Sequence, residues 1–187
     1  RPVWPGLMNC LSTHDVERAV TALAGEPTGQ NDREWQGHNN TLSPQRYALG
    51  KQLLKLAAVL QYTLPGTPCL YYGDEAGLYG YKDPFNRSCY PWGREDGELV
   101  AFFQRLGQLR VGCPQLAGAD FCMACCTPQV AAYTRDGGTY SLFVAVNRTD
   151  TPQPVSIPGD FEGAQALFGG LEGGQLPAYG AVVLSTL

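Results

Sequence analysis

No run of the ~18 consecutive apolar residues that a membrane-spanning helix needs occurs in this 187-residue chain, so no membrane partner is expected. Basic character is equally thin. Lysine and arginine total 13 against 17 aspartates and glutamates, without a basic block, and nucleic acid is not an expected partner. Histidine is scarce, with His14 and His38 alone. That shortage bears on Cys122-Met123-Ala124-Cys125-Cys126, which has the C-x-x-C spacing of half a zinc or redox site but no second half. The simpler reading is a strand whose small thiols fill core positions, and no metal is assigned. The opening Arg1-Pro2-Val3-Trp4-Pro5-Gly6 lacks the apolar core and small-residue cleavage site of a secretory signal. Arg1 also stands where an initiator methionine would, so the chain reads as a piece cut from something longer.

What is present suits a loop-rich protein with one or two domains and a sizeable core: 23 glycines, 14 prolines and many aromatics. Seven cysteines, an odd number scattered through apolar runs, argue for reduced thiols and a cytoplasmic setting. No internal repeat stands out.

The stretch Leu7 to Arg18, LMNCLSTHDVER, organises the rest. Leu7–Leu11 has the length of a buried strand, and it breaks into the polar corner Ser12-Thr13-His14-Asp15. A titratable pair at the C-terminal end of a buried strand is where parallel α/β proteins place chemistry. On local sequence alone the simpler reading is preferred: Asp15 caps a helix running from Val16 to Leu23.

Residues 23–42 are polar and read as a loop that holds at most a short helix. Ser43-Pro44 supplies an N-cap and a first-turn proline for a helix from Arg46 to Tyr62. Its broad apolar face demands packing on a sheet or between neighbours. Leu64-Pro65-Gly66 stops it, and Pro68–Tyr72 is the next buried strand. Strand, helix, strand is one crossover unit of a parallel sheet. Asp96 caps another helix, with Leu99, Phe102, Phe103, Leu106 and Leu109 on one face. Beyond Leu116 come short strands without helices between them, at 129–135, 139–147, 154–157, 164–168 and 181–185. Asp136-Gly137-Gly138 is the hairpin turn between the first two. Such spacing suits a small antiparallel sandwich.

A second long motif sharpens the reading. Leu64–Glu75, LPGTPCLYYGDE, is followed by Asp83-Pro84-Phe85-Asn86-Arg87 and then Pro91-Trp92. In this order, NCLSTHDVER and PGTPCLYYGDE resemble the motifs at strands seven and eight of the α-amylase family, glycoside hydrolase family 13. The Asp-Pro…Arg…Pro-Trp run resembles its neopullulanase and cyclomaltodextrinase branch. The resemblance implies a fold: residues 1–116 are the last two β/α units of a (β/α)₈ barrel, and residues 117–187 are an all-β C-terminal domain, an antiparallel sandwich.

It also implies roles. Asp15 would be the third of the family's catalytic acids, accepting hydrogen bonds from sugar hydroxyls and stabilising an oxocarbenium-like transition state. His14 would bind the same sugar. Asp83 and Arg87 match positions that reach further glucose units; as a charged pair four residues apart, they equally suit an ordinary loop ion pair. Arg18 would hold the loop, Asp74 and Glu75 would shape the pocket rim, and Tyr71 and Tyr72 would pack in the barrel. The tyrosine-rich Gly77–Tyr81 departs from the family pattern and could add a sugar-stacking platform. Phe85 and Ser88 stand where the branch carries polar and basic residues, departures that bear on chain-length preference.

A retaining glycosidase needs a nucleophile and an acid about 5 Å apart. In the family both lie upstream, the nucleophile in a G-x-R-x-D motif that this chain does not contain. The resemblance thus implies the C-terminal fragment of an α-glucan hydrolase or transglycosylase acting on α-1,4 and, as a second class, α-1,6 bonds. It is inert alone, with α-glucan oligosaccharides as partner and no cofactor in this segment; family calcium ligands lie mostly upstream. Two exposed barrel strands would make the isolated chain self-associate. The alternative is a non-catalytic amylase-like protein with a binding or structural role.

Overall fold

The computed structural model describes residues 6–26 and 33–186; the expectations placed on residues 1–5 and on the centre of the 23–42 loop lie outside them. The element order is β1 (Met8–Cys10), α1 (Ala19–Ala24), α2 (Arg33–Asn39), α3 (Pro44–Thr63), β2 (Thr67–Cys69) and α4 (Gly97–Gly112). Seven strands follow: β3 (Asp120–Cys126), β4 (Val130–Asp136), β5 (Ser141–Asn147), β6 (Gln153–Pro154), β7 (Gln165–Gly169), β8 (Gln175–Leu176) and β9 (Ala181–Ser185). The chain is thus a mixed α/β segment followed by an antiparallel sheet. It divides into two compact units: Asn9–Gln61 with Pro68–Arg105, and the segments up to Met8, Tyr62–Thr67 and from Leu106 onward.

In the first unit, α3 is capped as its sequence predicts, the Arg46 N–H reaching the Ser43 hydroxyl at 3.3 Å. Leu54, Ala58 and Val59 on α3 are fully buried, as are Val20 on α1 and Leu99 on α4. The buried Gln61 amide donates to Asn9 O (2.8 Å) and Cys69 O (2.9 Å), holding the ends of β1 and β2 to the helix between them. Asp96 caps α4 through the N–H groups of Glu98 (3.1 Å) and Leu99 (3.2 Å), and it accepts from Lys51 and Tyr47. Burial pushes the Asp96 carboxyl up, but hydrogen bonds from Lys51, the Leu99 N–H and Tyr47 outweigh it and hold the group below its ordinary range.

Two expectations for this region are corrected. Helix α1 begins at Ala19, not Val16, and its N-cap is Arg18, so Asp15 is not a helix cap. The helix starts late because Arg18 is drawn into the interior and bonded elsewhere, as described below. The strand segments form, but they are not buried: Leu7 is 50% and Met8 71% exposed, and Leu70 and Tyr72 are exposed too. Among the described residues β1 and β2 pair only with each other, so surfaces that a parallel sheet covers on both faces meet solvent.

The second unit is built on a five-stranded antiparallel sheet in the order β3-β4-β5-β9-β7. Alternation along β4 and β5 sends Val130, Ala132, Phe143 and Ala145 to one face, where they meet Phe161, Leu176, Val182 and Leu184. The small β6–β8 pair belongs to this layer, Leu176 being fully buried. Tyr133, Arg135, Leu142, Val144 and Val183 point to the other face and are also buried, so β4 and β5 are covered on both sides. The terminal nitrogens of Arg135 donate there to the carbonyls of Leu116 (2.7 Å), Ala119 (3.0 Å) and Thr63. The Asp136-Gly137-Gly138 turn forms as expected; Gly138 sits at φ +86°, and its N–H meets the Asp136 carboxylate at 2.9 Å.

The cysteine-rich segment is a strand, β3, but its thiols are not core residues. It is the edge strand of the sheet; Cys122 and Cys126 are exposed and Cys125 alone packs against the core. All seven cysteines are free thiols.

Candidate functional site

The polar corner after β1 and the loop after β2 are drawn together by one buried cation. Arg18 is 0% exposed, and its guanidinium donates to Asn86 O (2.8 Å), to Tyr72 O and to Asp74 Oδ1 (3.3 Å). Its Cζ lies 4.2 Å from the Tyr71 ring centroid and 4.6 Å from that of Tyr72. Asn86 returns the connection, donating to Thr13 O (3.2 Å) and Val16 O (2.8 Å). Asp74 closes the set by accepting from the Ser12 hydroxyl. Burial pushes the Asp74 carboxyl up to about 6, while Ser12 and Arg18 pull the other way.

This clamp fixes the residues on either side of it. His14 and Asp15 protrude: Nε2 and Oδ2 are 3.3 Å apart, with 64% and 71% of the side chains exposed. Asp83 and Arg87 form an ion pair within the loop, Oδ1 to Nε 2.9 Å, and Arg87 Nε also meets His14 O at 3.3 Å. Arg33 approaches the second Asp83 oxygen at 3.5 Å. Gly80 of this loop has no room for a side chain, since a Cβ would stand 2.1 Å from Phe85 O.

A cavity of about 340 Å³ is lined by Asp15, Arg33, Gln36, Lys82, Asp83 and Arg87. Three of the four residues singled out in the sequence therefore share one cavity, although 68 positions separate Asp15 from Asp83. His14 is beside it, not in its lining. Arg33 and Gln36 escaped the sequence reading because α2 (Arg33–Asn39) sits in a stretch without apolar periodicity, and Lys82 because it stands in the loop before Asp83 outside any recognised motif. Chemically, the cavity offers two carboxylates and three cationic groups, which suits a ligand rich in hydroxyls: carboxylates accept, and guanidinium N–H groups donate.

The chain is 40% identical over 109 residues, 58% of its length, to the amylopullulanase of Thermoanaerobacter thermohydrosulfuricus. It is 32% identical over 161 residues, 85% of its length, to the cyclomaltodextrinase of Thermoanaerobacter pseudethanolicus. The structure superimposes over 97% of its length, with a TM-score of 0.70 and 25% identity, on the α-amylase of Geobacillus thermoleovorans solved with acarbose. The chain is a relative of the α-amylase family. It matches the C-terminal part of these glycoside hydrolases, glycoside hydrolase family 13. It spans 7% and 24% of the two enzymes and 39% of the crystallised amylase chain. No family model matches it.

Other features of this α-amylase relative bear on the site. Tyr81 is not a sugar-stacking surface: it is 3% exposed, packs edge-on against Trp35 at 5.4 Å and donates to Glu26 O at 2.9 Å. Tyr79 meets Tyr47 edge-on at 6.0 Å. Among the described residues no group of three or more His, Cys, Asp or Glu is arranged to hold a metal, and no helix is long and apolar enough to cross a membrane.

Proposed function

We propose that this chain is the C-terminal part of a retaining α-glucan hydrolase or transglycosylase acting on α-1,4 and α-1,6 glucosidic bonds of starch-derived oligosaccharides. In this reading β1 and β2 are the last two strands of a (β/α)₈ barrel, residues 1–116 are its closing portion and residues 117–187 form the C-terminal β domain. Asp15 stabilises the oxocarbenium-like transition state; His14 binds the same sugar, and Asp83 with Arg87 binds glucose units further along.

The observation that carries the reading is the shared cavity: Asp15, Asp83 and Arg87 line it together, held from behind by the Arg18 clamp. Asp15 is not engaged in capping α1, and its exposed carboxylate stands beside His14 where a ligand can reach it. The crystallised relative named above holds acarbose, an oligosaccharide analogue, which supports an α-glucan as ligand here. Asp83 has both oxygens near arginines, an arrangement in which the remaining lone pairs and guanidinium N–H groups are set to grip adjacent hydroxyls.

The nucleophile and the general acid would come from preceding barrel strands. The test is the coding sequence immediately upstream of Arg1. A G-x-R-x-D strand followed by a catalytic glutamate supports the enzyme; substitution or absence of those carboxylates makes the longer protein non-catalytic and reduces His14 and Asp15 to a sugar-binding remnant.

A further inference from the structure

Trp92 is 80% exposed, the highest exposure of any large aromatic side chain among the described residues. It is not simply loose. The Trp92 N–H donates to Tyr90 O (2.9 Å) and the Arg94 N–H to Pro91 O (2.8 Å), a tight turn completed by Gly93 at φ +73°. The turn lifts the indole clear of the surface, and Tyr90 lies against it, with ring centroids 4.5 Å apart and planes inclined by 48°. The Glu75 carboxylate lies near Tyr90 and accepts from the Gly73 N–H at 2.8 Å. Neither ring lines the cavity that holds Asp15, Asp83 and Arg87.

We infer that Trp92 and Tyr90 form a second carbohydrate-binding surface, outside the Asp15 cavity, on which a pyranose ring of an α-glucan chain stacks while Glu75 accepts hydrogen bonds from its hydroxyls. The choice of α-glucan rests on the function proposed above; the choice of a sugar rests on the site itself. A pyranose presents C–H groups on its faces and hydroxyls around its edge, so it needs an aromatic face with polar acceptors beside it. Here two rings are flanked by Gly93, Arg94, Glu95 and Glu75. A docked protein needs a contiguous apolar patch within roughly 800 Å² per partner, and an aromatic residue supplies ~150–250 Å². Two rings bounded by glycine and charge fit one or two sugar units instead.

The experiment is an NMR titration of the complete 187-residue chain with maltoheptaose, following the shifts of residues 88–95. Wild type, Trp92→Ala and Trp92→Phe are compared, with β-linked cellohexaose as control. Saturable shifts in wild type, retention in Trp92→Phe, and weakening of at least about tenfold in Trp92→Ala are expected, a difference of about 1.4 kcal/mol. Absence of saturable shifts in wild type, equal affinity of Trp92→Ala, or equal binding of cellohexaose overturns the proposal. The upstream carboxylates that decide catalysis do not enter this measurement, so the two readings fail separately.

Discussion

Arg18 and Asp74 face each other across 3.3 Å with 0% and 2% of their side chains exposed, and between them they join the loop that carries Asp15 to the loop that carries Asp83. A lysine cannot take over from Arg18. It has one point charge, whereas Arg18 reaches two carbonyls and a carboxylate while lying against two tyrosine rings. Arg18→Lys is expected to destabilise the chain by ~3–5 kcal/mol, the scale set by breaking a buried pair. Urea unfolding of the two proteins measures this; a difference under ~0.5 kcal/mol would remove Arg18 from the centre of the clamp.

The pH dependence of stability carries the signature of Asp74. Burial raises its folded-state value from 3.8 to about 6, so the folded protein holds this proton more tightly than the unfolded one. Its contribution is fully present below 3.8 and is lost as pH rises through about 6. Wild type is therefore expected to lose stability relative to Asp74→Asn between pH 4 and pH 7, by up to ~3 kcal/mol for two pH units of difference. Urea midpoints at a series of pH values give the comparison, and parallel profiles would contradict it.

Asp96 behaves in the opposite sense. With its carboxyl held below 3.8, its stabilisation is present above that value and disappears as pH falls through the depressed one. At neutral pH, Asp96→Ala removes the α4 cap and the Lys51 and Tyr47 contacts, and a loss of ~1–2 kcal/mol is expected from thermal or urea unfolding. At acid pH below the depressed value the gap narrows.

The β1–β2 pair predicts the behaviour of the isolated chain. Leu7, Met8, Leu70 and Tyr72 are exposed beside two strands that among the described residues have no further partner, a combination that favours association through strand edges. Light scattering is expected to show the apparent mass rising with protein concentration, and Met8→Lys to suppress it. A wild-type chain that stays monomeric at high concentration would refute this.

What could be read from the sequence follows from where the information resides. Strands β4 and β5 were legible because apolar residues and a Gly-Gly turn lie within a few positions of one another, and β9 because its apolar residues are contiguous. The two caps, Ser43 and Asp96, were legible for the same reason. β3 was read as a strand but its exposure was not, because an edge strand of cysteine, methionine and alanine resembles core sequence while its side chains face water; β8 is only two residues long. The late start of α1 was hidden because it depends on Arg18 bonding to Asn86, 68 residues away. In the cavity, Asp15, Asp83 and Arg87 stood in recognisable motifs. Arg33 and Gln36 did not, because their place is set by how α2 lies beside the 80–87 loop, where the Lys82 N–H meets Gln36 Oε1 at 3.1 Å.

The most direct test of the account is the effect of Asp15→Asn on maltooligosaccharide cleavage by the full-length enzyme proposed above. The substitution keeps the size of an exposed side chain and removes its charge. A fall in kcat of at least about 10²–10³-fold, with stability unchanged, is the predicted result for a carboxylate that stabilises the transition state electrostatically. Cleavage at the wild-type rate would contradict it and leave Asp15 a surface residue at the mouth of a cavity built for something else.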